Sequence, residues 1–166
     1  MADANGDAKG AVAAAIKLEE DGRKFYLDSA AKTTSDLVRK MFESLAADET
    51  DHIDWIHTLA PGVESSLEAN RALYAKLQGI FAGAPEAGGA ESDSAAIDVA
   101  IGMEEKSAAA YAEWAAEGGS EEIRKLGAVL VGQERFHRQL LENMKEYLKS
   151  PGDWFLAEER WNFEGG

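Results

Sequence analysis

The sequence predicts an all-α fold, a four-helix bundle made of two repeated helical hairpins joined by a long crossover. Three observations predict it: an internal repeat, apolar residues at helical spacing, and a short polar break inside each copy of the repeat. Shifting the 166-residue chain against itself by 85 positions aligns 12–59 with 97–144 without a gap, and 13 of the 48 pairs are identical. Typical residue usage would give about three identities by chance. The chain therefore holds two copies of one supersecondary unit.

The first helix is expected over about 8–32, where Val12, Ile16, Glu19, Tyr26 and Ala30 share one face. The break Lys32-Thr33-Thr34-Ser35 follows, with Ser35 placed as an N-cap and Asp36 in the first turn of a second helix over about 35–60. Its stripe is Val38, Met41, Leu45, Glu49, His52, Ile56 and Leu59. The crossover, 61–93, is rich in Gly, Pro, Ser and Ala at its ends and reads as a short helix over 64–81. That length of chain can run the whole bundle, so the second hairpin need not start where the first one stops.

The third helix, about 94–117, carries Ile97, Ile101, Glu104, Tyr111 and Ala115, and Gly118-Gly119-Ser120 breaks it. Ser120 and Glu121 open a fourth helix over about 120–149, with the stripe Ile123, Leu126, Leu130, Glu134, His137, Leu141, Met144 and Leu148. Breaks this short make antiparallel neighbours. Pro151-Gly152 ends the pattern, and the aromatic tail 151–166 is expected to pack on its own bundle or on a partner subunit, with contact to a substrate as the alternative. The whole of 1–166 is read as a single domain.

Composition narrows the function. The formal charge of −14 repels phosphates, which argues against nucleic acid and anionic membranes as partners. Cysteine is absent, which excludes disulfides, thiolate metal sites and a cysteine nucleophile. With no secretory pattern at the N-terminus and no apolar run near the ~20 residues that span a bilayer, a cytoplasmic location is expected.

The informative residues are charged ones on apolar stripes. Glu19 and Glu104 occupy equivalent places in helices one and three, and helices two and four each carry Glu-x-x-His, as Glu49-His52 and Glu134-His137. A spacing of three puts both side chains on one face. Antiparallel packing brings all six to one level of the bundle, where no Lys or Arg on a stripe can neutralise them. An unpartnered buried carboxylate costs several kcal/mol. Two divalent cations would balance the four carboxylates, and oxygen and nitrogen donors without sulfur suit iron or manganese, with zinc as a substitute. Tyr26 and Tyr111, seven residues after each core glutamate, share its face. They suit core packing or hydrogen bonding to a ligand carboxylate, and they are the candidate proton donors. Glu20 and Glu105 lie off the stripe and are expected either to be solvated or to support the ligands from behind, and His57 is expected at the surface.

These residues, with the phrase Leu18-Glu19-Glu20-Asp21-Gly22-Arg23-Lys24-Phe25-Tyr26, resemble the rubrerythrin group of the ferritin-like superfamily over about 8–164. The resemblance implies two iron ions per chain, bridged by Glu49 and Glu134, with Glu19 and His52 completing one site and Glu104 and His137 the other. It implies reduction of hydrogen peroxide or dioxygen. The alternative is an iron-binding ferroxidase that stores or delivers iron. Typical members carry a further glutamate where this chain has Ser107, and a rubredoxin domain that a chain without cysteine cannot form. Electrons are therefore expected from an external donor, such as a rubredoxin-type protein or a reductase, and the expected assembly is a homodimer.

Overall fold

The computed structural model describes residues 4–59, 90–117 and 121–151. Four helices make up the described chain: α1 (Ala4–Lys32), α2 (Asp36–Leu59), α3 (Ala90–Glu117) and α4 (Glu121–Lys149). They form a four-helix bundle, as the repeat and the stripes predict, of the ferritin-like kind that the resemblance implies. Most of the expected crossover and nearly all of the aromatic tail lie outside the described residues, as does Ser120.

Two helices begin earlier than their sequence suggests. α1 starts at Ala4, before Gly6 and Gly10. Each glycine in a helix interior costs about 1 kcal/mol against alanine, which the rest of a 29-residue helix overrides. α3 starts at Ala90, so Ala90–Asp93, read as the end of the crossover, is helical instead. Asp93 is buried there, and its Oδ2 accepts a 2.8 Å hydrogen bond from the Thr33 hydroxyl, tying the start of α3 to the α1–α2 turn. In that turn Ser35 caps α2, its Oγ accepting from the Val38 amide at 3.4 Å.

α1 packs closely on α2 and α3 on α4, while the hairpins meet through α2–α4 and α1–α3. The apolar side chains form two separate clusters. One joins Val12, Ala15 and Leu18 of α1 to Ile56 of α2 and to Trp114, Ile123 and Leu130 at the α3–α4 turn. The other joins Ala30, Val38, Phe42 and Leu45 at the α1–α2 turn to Ile97 of α3 and Leu141 of α4. Each cluster sits at one end of the bundle. This arrangement requires α1 and α3 to run antiparallel, and gives the two hairpins a pseudo-twofold relation.

The hairpins reach the same packing by opposite means. Gly127 of α4 lies so close to α3 that an added Cβ would stand 2.9 Å from the Cβ of Trp114 and 2.7 Å from a backbone nitrogen. The repeat equivalents of Trp114 and Gly127 are Ser29 and Phe42, both buried. The bulky side chain has changed helix between the copies, so total core volume is kept.

Candidate metal centre

Between the two apolar clusters lies a polar layer. Glu19, Glu49, Glu104 and Glu134 are 2–3% exposed, His52 is 1% and His137 is 0%. The equivalent stripes deliver one glutamate each from α1 and α3 and a Glu-x-x-His pair each from α2 and α4. The apolar neighbours on either side then exclude water from all six.

Two overlapping groups of possible ligand atoms result. Glu19, Glu49, His52 and Glu134 form one, and Glu49, Glu104, Glu134 and His137 the other, with the atoms of each within 4.8 Å of one another. Glu49 and Glu134 belong to both. The Nδ1 of His52 is 3.1 Å from both Glu19 Oε2 and Glu49 Oε2, and 3.6 Å from Glu134 Oε1. The Nδ1 of His137 is 3.6 Å from Glu104 Oε1 and 3.8 Å from Glu49 Oε1. The imidazoles stack across the α2–α4 interface with centroids 5.3 Å apart.

The tyrosines cross between hairpins. Tyr26 of α1 donates to Glu104 of α3, and Tyr111 of α3 donates to Glu19 of α1. Burial above all, and then the charge of Glu104 beside Tyr26 and of Glu19 beside Tyr111, push both phenols well above the usual tyrosine range. They keep their protons and serve the carboxylates as donors.

Charge in the layer is redistributed as its crowding demands. Burial, and then the neighbouring carboxylates, hold Glu49 and Glu134 well above the usual carboxylate range. Burial also opposes charge on Glu19, but hydrogen bonds from Glu49 and His52 outweigh it and keep Glu19 below that range. For His137, burial disfavours the cation, yet the contact with Glu104 prevails and raises its pKa.

Even so, the layer is not satisfied by protein groups alone. Glu104 Oε2, Glu134 Oε1, His137 Nδ1 and the Nε2 atoms of both His52 and His137 are buried without a hydrogen-bond partner among the described residues. Nearly all such atoms in folded proteins are paired, and orphaned ones mark a missing partner. All five belong to carboxylates or imidazoles of the layer, a donor set that fits a divalent cation. The donor set fits an oxygen- and nitrogen-preferring metal such as iron.

One neighbour was not legible in the sequence. Asp48 Oδ2 stands 3.4 Å from His137 Nε2, within ion-pair reach though not as a hydrogen bond. The only sequence signal is its place one residue before Glu49, and a side chain 40% exposed reads as surface. Its repeat equivalent is Gln133, and the Nε2 of His52 has no partner among the described residues. Glu20, Glu105 and His57 are exposed, away from the layer.

A family model described as Rubrerythrin matches residues 11–145. No match is found among curated proteins or among solved structures.

Proposed function

The chain belongs to the rubrerythrin family, and from that premise we propose that it is a non-haem di-iron oxidoreductase that reduces hydrogen peroxide, or dioxygen, with electrons from an external donor. One observation carries the reading: two buried groups of four ligand residues overlap in Glu49 and Glu134. Glu49 and Glu134 would bridge two ions, Glu19 and His52 would complete one site, and Glu104 and His137 the other. Manganese or zinc can substitute in such a donor set. When bound, an iron pair supplies the two electrons that cleave an O–O bond.

The chain's own residues do the remaining work. The two apolar clusters keep bulk water from the layer. Tyr26 and Tyr111 hold Glu104 and Glu19 in place and keep dissociable protons beside the site. Each peroxide reduced takes up two electrons and two protons and yields two waters, so turnover needs a reductant. These 166 residues contain no cysteine for a thiolate iron site, and the proposed donor is a separate rubredoxin-type protein or a reductase. The proposed setting is a cytoplasmic homodimer. No helix among the described residues is long and apolar enough to cross a membrane.

The test is anaerobic loading with Fe²⁺ followed by stopped-flow mixing with peroxide and with dioxygen at equal concentration. Both should oxidise the protein, peroxide faster, and steady turnover should require an added donor. Much faster oxidation by dioxygen, with uptake of many irons per chain, would make the protein a ferroxidase instead.

A further inference from the structure

Three rings run in series from the surface to the polar layer. The indole of Trp55 on α2 is 38% exposed, and its ring centroid is 5.4 Å from that of His52. His52 in turn stacks on His137 across the α2–α4 seam, with centroids 5.3 Å apart. Both spacings are contact distances for aromatic rings. The other rings near the layer, Tyr26, Tyr111 and Trp114, are buried. In the second copy of the repeat Leu140 stands where Trp55 stands in the first, so the series opens to the surface on the His52 side.

The surface around Trp55 is apolar at its middle and acidic at its edge. Phe136 and Val129 of α4 are exposed, and their repeat equivalents on α2 are Asp51 and Ser44. Asp51 lies one turn before Trp55. The pseudo-twofold relation therefore puts Phe136 and Val129 on the flank of α4 that corresponds to the Trp55 flank of α2, and the two flanks make one face of the bundle. Asp51 and Asp54 are exposed beside the indole, and α2 carries no Lys or Arg after Lys40. Aromatic anchors ringed by charge are the make-up of a docking surface.

We propose that Trp55 is the entry point for electrons, and that the α2–α4 face around it docks a one-electron carrier protein with an apolar contact surface and a basic rim. The inference rests on the di-iron reading of the site and names the kind of donor and the place it reaches. An electron crosses a gap bridged by rings in contact faster than the same gap filled by saturated groups or water. Each docking passes one electron by way of the indole and the His52 imidazole, neither of which is itself oxidised or reduced. The carrier loses that electron to ferric iron held by His52, which is thereby reduced to ferrous. Two such transfers restore the two electrons that one peroxide consumes. The rim of the carrier is basic because the acidic edge of the face, on a chain of charge −14, draws cations and repels anions.

The probe is hexaammineruthenium(II), a cationic one-electron reductant, mixed anaerobically with the full chain in its diferric form while the ferric absorption is followed. W55L should be reduced several-fold more slowly than the native chain and W55F should fall between, with iron content and melting temperature unchanged in both. D51N/D54N should slow reduction more than E113Q/E121Q, which removes the same charge from exposed sites on α3 and α4. A second readout needs no reaction. Co²⁺ bound beside His52 should quench the indole, so cobalt should dim the fluorescence of the native chain more than that of W55F. Equal reduction rates in W55L and the native chain, with peroxide still reduced, would overturn this inference alone, and equal dimming in W55F would overturn the ring route. Loss of iron in both Trp55 variants would overturn it as well, because the indole would then serve only to seat His52. Equal effects of the two charge pairs would overturn the basic rim. A native dimer that F136S splits into monomers would overturn the carrier site, since a second copy would then cover the face. A native protein reduced through Trp55 that does not react with peroxide would sink the proposed function and leave this inference standing.

Discussion

Glu19 with His52 and Glu104 with His137, the two proposed half-sites, offer the same groups from equivalent positions, yet their surroundings differ. His52 lies within hydrogen-bond distance of two carboxylates, and its far nitrogen is unpartnered among the described residues. His137 stands farther from its carboxylates, and its far nitrogen, likewise without a hydrogen bond among the described residues, lies 3.4 Å from the carboxylate of Asp48. Beside His52 is the ring of Trp55 at 5.4 Å, where the repeat equivalent near His137 is Leu140. The repeat thus keeps the groups aimed inward and varies those one layer out. An anion behind an imidazole raises its basicity and fixes its orientation. The two half-sites should therefore differ in metal affinity, the one holding His137 being the tighter.

The largest effect should come from the residues the half-sites share. Glu49→Ala or Glu134→Ala should cost both ions, whereas Glu19→Ala should weaken only one. Elemental analysis of the desalted protein checks this, and retention of both ions in either shared-residue variant would break the comparison at its root.

Next in size is the stability of the metal-free protein. Glu49, Glu134 and His137 have raised pKa values and bind more protons folded than unfolded, so the stability they contribute is lost as pH rises through their folded values. Glu19 is lowered and acts oppositely, its contribution fading only in acid below the ordinary carboxylate range. The melting temperature of the apoprotein should therefore fall from mildly acidic to mildly alkaline pH. Metal should flatten the profile and raise it, by about 4 kcal/mol at a thousandfold excess over the dissociation constant. An apoprotein most stable at alkaline pH would contradict the carboxylate assignment.

How much of this was legible in the sequence follows from where each residue points. The six inward groups stand out because charge interrupts an apolar stripe twice at the same repeat position. Tyr26 and Tyr111 share the stripe, but their crossing between hairpins needs the antiparallel α1–α3 pairing, which no local pattern encodes. Asp48 sits on the shoulder of α2, half in solvent, where acidic residues are ordinary. Asp93 reads as the end of a crossover whose ends are rich in Gly, Pro, Ser and Ala, and its burial depends on Thr33, 60 residues away. The exchange of Ser29 and Phe42 for Trp114 and Gly127 is a property of pairs, and a single stripe cannot reveal it.

Asp48 gives the sharpest test of the difference between half-sites. Asp48→Asn should weaken one of two Co²⁺ binding steps by on the order of tenfold or more and leave the other alone. Gln133→Asp should strengthen the step that Asp48→Asn leaves untouched. Equal change in both steps would show that the half-sites do not differ in the way described. The smallest effects belong to the tyrosines. Tyr26→Phe and Tyr111→Phe each remove one hydrogen bond, worth about 1 kcal/mol, and should slow oxidation while both ions stay bound, as metal analysis and stopped-flow absorbance would show.

The central claim is that one buried layer holds two ions through shared carboxylates. Its most direct test is the ratio of iron to chain after anaerobic loading with excess Fe²⁺ and desalting. The account predicts about two irons per chain, as a two-metal site requires. A ratio of one or none, or of many, would contradict it.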